Sequence, residues 1–110
     1  LGAAMGVDQR PVLAAGDLSL DPASREVVRA GVQIQLTARE FALLEYLMRR
    51  ADEVVPKTEI IEHVWDEFYD GDTNVVEVYV GYLRRKIDAP FGRQSVQTVR
   101  GVGYRLVADG

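Results

Sequence analysis

Cysteine is absent from this sequence, and histidine and tryptophan occur once each. Without cysteine the chain has no disulfide, no thiolate metal ligand and no thiol nucleophile, which is compatible with a reducing compartment such as the cytoplasm. No uninterrupted apolar run approaches the roughly 20 residues that a membrane-spanning helix needs. The sequence therefore predicts a cytoplasmic protein without a membrane segment.

The residues that most enzyme and metal sites require are also scarce. The single histidine, His63, shares its segment with Ile60 and Val64 and has no obvious nucleophile nearby. No phosphate-binding glycine loop and no zinc-ligand spacing occurs. The acidic stretch 66–77 fails as a calcium loop because Phe68 stands where an oxygen ligand is needed. We therefore expect a protein that is not an enzyme and that binds no metal or cofactor.

Basic residues are outnumbered, with 13 Lys and Arg against 17 Asp and Glu and a formal net charge of −4. Such a balance argues against a nucleic-acid partner when it is taken for the whole chain. The charges are unevenly distributed, however. Residues 1–72 hold 7 basic against 14 acidic residues, a net of −7, whereas residues 73–105 hold 6 against 2, a net of +4. This basic segment fits a nucleic-acid contact, and from charge alone it fits a solvated helix face equally well.

Short apolar runs separated by turn-forming residues predict a small antiparallel sheet of about four strands early in the chain. The predicted strands are Val12–Ala14, Leu18–Leu20, Glu26–Val28 and Val32–Leu36. Residues 1–10 are small and aperiodic, which suits a linker or an expression-tag remnant. A chain of this length has room for one core, so we expect a single domain over residues 11–108.

Helical periodicity predicts three helices after the sheet. The first follows a capping box formed by Thr37 and Glu40 and runs to about Ala51. The remaining predicted elements are an extended segment Val54–Pro56, a helix Lys57–Trp65, a helix Thr73–Asp88 capped by Asp72 or Thr73, and a hairpin of Ser95–Val99 and Tyr104–Val107.

The third predicted helix has two apolar faces. On a helical wheel, Val80, Leu83 and Ile87 lie within about 40° of Val76. We expect this stripe of four residues to lie in the core. An adjoining face, centred roughly 105° away, holds Val75, Val78, Tyr79, Tyr82 and Lys86, with Arg85 beside it. This face predicts either a contact surface or a second buried side. A major groove accepts one such helix, because apolar side chains meet thymine methyl groups and cations meet phosphates.

Several motifs occur together in the order and spacing of a known family. They are Leu36-Thr37 with Glu40, Leu43-Leu44 with Leu47, Val54-Val55, Val64-Trp65, Asn74–Val80, Leu83–Ile87 and the hairpin segment Thr98–Arg105. From about Leu18 to Leu106 the chain resembles the OmpR/PhoB class, the winged-helix effector domains of two-component response regulators. The resemblance implies an α+β fold of the winged helix-turn-helix type. It comprises an N-terminal four-stranded antiparallel sheet, three helices and a C-terminal β-hairpin wing, with the third helix in the major groove.

The resemblance also implies roles for individual residues. Base-facing positions are Val75, Val78, Tyr79 and Tyr82. The positions matched to contacts with the DNA backbone are Trp65, Asn74, Arg84, Thr98 and Tyr104, and Arg100 matches a wing arginine that reaches a minor groove. Arg85 and Lys86 are further predicted backbone contacts, because of their charge and their place on or beside the second apolar face. Phe68 and Tyr69 lie in the loop where relatives contact RNA polymerase. Gly81 matches a backbone-contacting position but has no side chain with which to make the contact.

Three positions depart from the family pattern or from the wheel. Some relatives have arginine in place of Tyr82, and because arginine binds guanine with two hydrogen bonds we expect weaker guanine recognition here. Pro56 stands where relatives often place a serine cap, so the second helix lacks that side-chain acceptor. The wheel places Arg84 beside Glu77, away from the contact face, which leaves an intramolecular pairing of Arg84 open.

The sequence thus predicts sequence-specific binding of double-stranded DNA for transcriptional regulation, by the output domain of a phosphorylation-controlled response regulator. The resemblance implies an upstream receiver domain, a second copy of the domain on direct DNA repeats, and contact with RNA polymerase. Two alternatives stay open. One is a protein-interaction module that uses Tyr79 and Tyr82 on the same fold, which the acidic net charge would suit. The other is a winged-helix domain from a different regulator architecture.

Overall fold

The computed structural model describes residues 11–65 and 71–110, which begin with an antiparallel sheet. Its strands, in spatial order, are β1 (Leu13–Ala15), β2 (Leu18–Asp21), β3 (Glu26–Arg29) and β4 (Val32–Ile34). Leu20 pairs with Leu13 and with Val27, so the three side chains form one row on the same face of the sheet. Leu20 and Val27 are buried, so this face is turned toward the core.

The helices of the described segments are α1 (Ala38–Arg49), α2 (Lys57–Val64) and α3 (Asn74–Ile87). The predicted capping box begins α1. The Glu40 amide donates to Thr37 Oγ1 at 3.3 Å, and the Thr37 amide donates to Glu40 Oε1 at 2.9 Å. Pro56 occupies the N-cap position of α2 and provides no side-chain hydrogen bond. This was expected, because the proline side chain has no acceptor atom.

The core lies where the inner face of the sheet meets the apolar stripes of the helices. On α3 the predicted stripe is confirmed, because its four members are fully buried: Val76, Val80, Leu83 and Ile87. They pack with fully buried side chains of the sheet, α1 and α2, among them Leu18, Leu20, Leu43, Leu44, Leu47 and Ile60. Burying one such side chain stabilises the fold by about 1.5–3 kcal/mol, so this contact holds α3 firmly on one side.

A second sheet forms the wing. Its strands are β5 (Val55–Pro56), β6 (Val96–Val99) and β7 (Gly103–Leu106), in the order β5-β7-β6. The predicted hairpin therefore has a third strand, which the sequence identified only as extended. Gly103 makes this pairing possible, because a Cβ atom at that position would lie 2.0 Å from the carbonyl oxygen of Val55. No other residue fits there without moving β5 away from β7.

The largest fully buried side chain, Arg29, joins the four-stranded sheet to the wing and to α3. Its Nη1 donates to the Ile87 carbonyl at 2.7 Å, to Asp88 Oδ1 at 2.8 Å and to Ser95 Oγ at 3.2 Å. Its Nε donates to Asp17 Oδ1 at 2.9 Å. Asp88 Oδ2 in turn accepts from the Ser95 amide at 3.0 Å. One guanidinium thus holds the C-terminal end of α3 and the start of β6.

The predicted fold class is confirmed, with small differences at the ends of elements. β1 begins at Leu13 instead of Val12, β4 ends at Ile34 instead of Leu36, and α1 ends at Arg49 instead of Ala51. Within residues 11–65 and 71–110, no helix has both the length and the apolar character that crossing a membrane requires.

Candidate nucleic-acid interface

The N-terminus of α3 is capped by the residue before the N-cap position. Thr73 occupies the N-cap position but its side chain makes no capping hydrogen bond. The Asn74 amide instead donates to Asp72 Oδ1 at 2.9 Å, and Asn74 Nδ2 donates to Asp72 Oδ2 at 3.3 Å. A carboxylate at this end of the helix also interacts favourably with the helix dipole. Asn74, a predicted backbone contact, is exposed beside this cap.

The second apolar face of α3 is divided between core and solvent. Val75 and Tyr79 are half-buried and pack against the core. Val78 and Tyr82 leave 45% and 39% of their surfaces exposed. The face is therefore a second buried side where it adjoins the core stripe, and an open surface beyond it. Neighbouring exposed apolar side chains on one helix are typical of a contact surface.

Five side chains form a continuous row across this surface, and we refer to them as the aromatic row: Arg39, Trp65, Tyr79, Tyr82 and Arg85. The rings of Trp65 and Tyr79 meet edge to face with centroids 5.3 Å apart, and those of Tyr79 and Tyr82 do so at the same distance. The Arg39 and Arg85 guanidinium carbons lie 5.4 Å and 5.7 Å from the Trp65 and Tyr82 rings. Such contacts orient the two tyrosines before any ligand binds.

Arg84 is held within the domain, which is the intramolecular alternative that the wheel left open. Its Nε and Nη2 donate to the Val96 carbonyl at 3.0 and 2.8 Å, and Nη2 also donates to Thr98 Oγ1 at 2.8 Å. The Tyr104 ring lies 5.8 Å from the Arg84 guanidinium carbon. Tyr104 is only 4% exposed, and its burial raises the pKa of its hydroxyl. Arg84 therefore fastens α3 to β6, and Thr98 remains exposed with a hydroxyl hydrogen to donate.

Lys86 is paired with the capping box of α1. Its Nζ lies 2.7 Å from Glu40 Oε1, and Glu40 is 3% exposed. Burial by itself would raise the pKa of Glu40, but hydrogen bonds from Lys86 and from the Thr37 amide bring that pKa below its ordinary value of 4.5. A phosphate contact by Lys86 would leave this buried carboxylate with a weaker partner, so Lys86 is less available than its place on the wheel indicated.

Two of the predicted contact cations remain available. Arg85 is exposed and contacts the Tyr82 ring, and Arg100 is exposed in the turn between β6 and β7. Within the described residues, neither forms an ion pair or donates a hydrogen bond. Gly101, beside Arg100, adopts a left-handed conformation with φ of +75°, which lets the chain turn tightly at the wing tip.

Sequence reasoning named Trp65 as a DNA-backbone contact but did not predict its contact with Tyr79, and it missed Arg29 and Arg39. Arg29 could have been found from strand alternation, because it lies two residues after the buried Val27 and so shares its face. Nothing in the local sequence distinguishes Arg39 from an ordinary helix-surface arginine. Phe68 and Tyr69, the predicted polymerase contacts, lie outside the described residues.

Comparison with known proteins identifies relatives with this architecture. A family model described as "Transcriptional regulatory protein, C terminal" matches residues 31–106. The chain is 48% identical over 104 residues to the transcriptional regulatory protein TcrA of Mycobacterium tuberculosis, a match that covers 94% of this chain and 41% of TcrA. The chain thus spans about two fifths of the length of the curated relatives it matches.

Solved structures agree with the family match. The DNA-binding domain of Klebsiella pneumoniae RstA, in complex with the RstA box, has a TM-score of 0.80 and 25% identity, covering 90% of this chain and 99% of that one. The response regulator DrrB, a Thermotoga maritima OmpR/PhoB homologue, has a TM-score of 0.79 and 28% identity, covering 91% of this chain and 46% of that one. The resemblance inferred from the sequence is confirmed. The chain belongs to the family of C-terminal domains of transcriptional regulatory proteins.

Proposed function

We propose that this domain binds double-stranded DNA sequence-specifically, as the output domain of a phosphorylation-controlled response regulator. The main supporting observation is the open part of α3, where Val78 and Tyr82 are exposed beside Arg85, which has no ion pair among the described residues. A helix that exposes apolar groups and a cation on one side, and is buried on the other, matches what a major groove accepts. The RstA domain, whose fold is similar, is described in complex with its DNA box.

In this proposal the open face contacts base edges. Val78 and Tyr82 extend into the groove, and the half-buried Val75 and Tyr79 contribute at its margin. None of these four side chains can bind guanine with a pair of hydrogen bonds as arginine does. Recognition through thymine methyl groups is therefore favoured over recognition of guanine at these positions.

The proposed backbone contacts fall into two groups. Arg85, Asn74, the Thr98 hydroxyl and the Trp65 indole N–H donate to phosphates, and Arg100 enters an adjacent minor groove. Arg84, Lys86 and Tyr104 act through the fold, because each is already packed or bonded inside the domain. The salt dependence of binding should therefore reflect fewer cations than the six basic residues between 73 and 105.

Within the full-length protein, we propose that residues 11–108 form this DNA-binding domain and that residues 1–10 belong to the linker from a receiver domain. Phosphorylation of the receiver on aspartate would bring two copies together on direct repeats, and Phe68 and Tyr69 would contact RNA polymerase. Such a protein acts on DNA in the cytoplasm and has no enzymatic activity in this domain.

Selection from randomised duplex DNA, followed by sequencing, tests the proposal. We expect enrichment of direct repeats whose centres lie one helical turn apart, about 10 to 11 base pairs. Inserting about five base pairs, half a turn, should abolish joint occupancy of the two half-sites. If no duplex is enriched while the domain is folded, the protein-interaction alternative becomes the better explanation.

A further inference from the structure

We infer that Arg39, at the start of α1, binds a backbone phosphate on the side of the groove opposite to the wing. The inference rests on the proposed function, because it assumes that α3 occupies a major groove. It adds a DNA-contacting residue that lies outside both the recognition helix and the wing.

The first observation is that Arg39 is oriented by its contacts but has no acidic partner among the described residues. It is exposed, its Nη1 donates to the Val64 carbonyl at the C-terminal end of α2, and its guanidinium lies over the Trp65 ring. A guanidinium has five N–H donors, so most of them are left for another partner. Within the described residues Arg39 has no ion pair, whereas Arg49 and Arg50 at the other end of α1 are each paired with glutamate.

The second observation is the position of Arg39 in the aromatic row. The row extends from Arg85 through both tyrosines to Trp65 and ends at Arg39. A helix in a major groove, which is about 12 Å wide, lies between two sugar-phosphate strands. The wing lies on one side of α3, and Arg84 attaches its strand β6 to the helix. The end of the row at Arg39 and Trp65 lies on α1 and α2, where the other strand would pass.

The third observation is electrostatic. Arg39 lies in the first turn of α1, where the helix dipole disfavours a positive charge. No described carboxylate offsets this cost, since Glu40 in the same turn is paired with Lys86. A phosphate beside Arg39 would interact favourably with both the guanidinium and the end of the helix. An arginine that is held over an indole ring and presents a planar fork is well suited to that contact.

The test compares two glutamine variants from the same helix. Arg39→Gln removes the charge and keeps a donor for the Val64 carbonyl. Arg49→Gln removes an exposed charge whose partner is Glu45. The dissociation constants for an operator duplex and a scrambled duplex are measured over a series of salt concentrations, together with the thermal midpoint of each variant.

For Arg39→Gln we expect binding to both duplexes to weaken by a similar factor, roughly three- to tenfold near 0.1 M salt, and the slope of log K against log salt to become shallower by about 0.9. Arg39→Lys should retain the native slope, because the charge is kept. Arg49→Gln should leave the slope unchanged.

The inference is overturned if Arg39→Gln lowers the thermal midpoint but keeps the native salt slope, because Arg39 would then only cap α2. In that case the proposed function stands, since the native domain still binds duplex DNA with a steep slope. If the native domain binds neither duplex, the proposed function and the role of Arg39 fail together.

Discussion

Arg29 and Arg100 occupy comparable places in two hairpins, yet the structure uses them in opposite ways. Arg29 ends β3 just before the turn at Gly31, and Arg100 follows β6 just before the turn at Gly101. Arg29 is fully buried and bonded to the last residue of α3, to Ser95 just before β6 and to Asp17. Arg100 is exposed, and no ion pair or hydrogen bond to its side chain occurs in the described part of the chain.

The comparison shows that neither the residue type nor the neighbouring glycine decides the role of a hairpin arginine. The N-terminal hairpin is covered by the end of α3, whose Asp88 provides a buried carboxylate. At the wing tip the two residues that follow Arg100, Gly101 and Val102, are exposed. A covered arginine supports the fold, and an uncovered one is available to a phosphate.

The largest expected effect is on stability, from Arg29→Met. The substitution leaves Asp88 buried without its cation, and breaking such a pair costs about 3–5 kcal/mol. Urea titration should show this loss in the free energy of unfolding. Arg100→Met should change that free energy by no more than about 0.5 kcal/mol. Equal losses from the two variants would contradict the conclusion that Arg29 stabilises the fold and Arg100 does not.

A second substitution tests how the wing is attached. Gly103→Ala forces a Cβ against the Val55 carbonyl, and overpacking of this kind costs about 1–3 kcal/mol. Gly81→Ala is the matched control, because a Cβ there would have no neighbour within 4 Å. In the middle of α3 that change should stabilise the fold by up to about 1 kcal/mol. Thermal unfolding of both variants provides the measurement, and a stabilising Gly103→Ala would disprove the close approach of β5 and β7.

The next effects concern DNA binding and leave the fold intact. Tyr82→Ala should reduce discrimination between operator and scrambled duplexes by about 1–3 kcal/mol, because it removes a proposed base contact. Arg100→Ala should instead weaken binding to both duplexes and make the salt slope shallower by roughly one. Circular dichroism must first show that each variant is folded. A folded Tyr82→Ala protein with full discrimination would reject the proposed recognition face.

The smallest expected effect is a pH dependence of the stability that the pair of Lys86 and Glu40 contributes. The pKa of Glu40 is lowered in the folded state, so its contribution to stability is present above its unfolded pKa near 4.5 and is lost as pH falls through the folded value. Lys86→Met should therefore lower the thermal midpoint at pH 7 and matter progressively less below the pKa of Glu40. An equal reduction at pH 7 and pH 3 would show that the pair is not responsible.

How much of the fold and of the candidate site could be predicted depends on how far apart in the sequence the contacting residues are. The capping box at Thr37 and the core stripe of α3 follow from spacings of three and four residues, and both are confirmed. The pair between Lys86 and Glu40 joins residues 46 apart, and that between Arg29 and Asp88 joins residues 59 apart. A helical wheel gives the direction of Lys86 on α3 but not the element opposite to it, so its carboxylate partner could not be foreseen.

The Arg29 hydrogen bonds have a consequence for the length of a half-site. Because one guanidinium holds both the last turn of α3 and the residue before β6, the recognition helix and the wing share a single anchor. The position of the start of β6 relative to the end of α3 is therefore set by the folded domain. We therefore expect the number of base pairs between the proposed major-groove and minor-groove contacts to be constant among the duplexes that this domain binds, whatever the sequence between them.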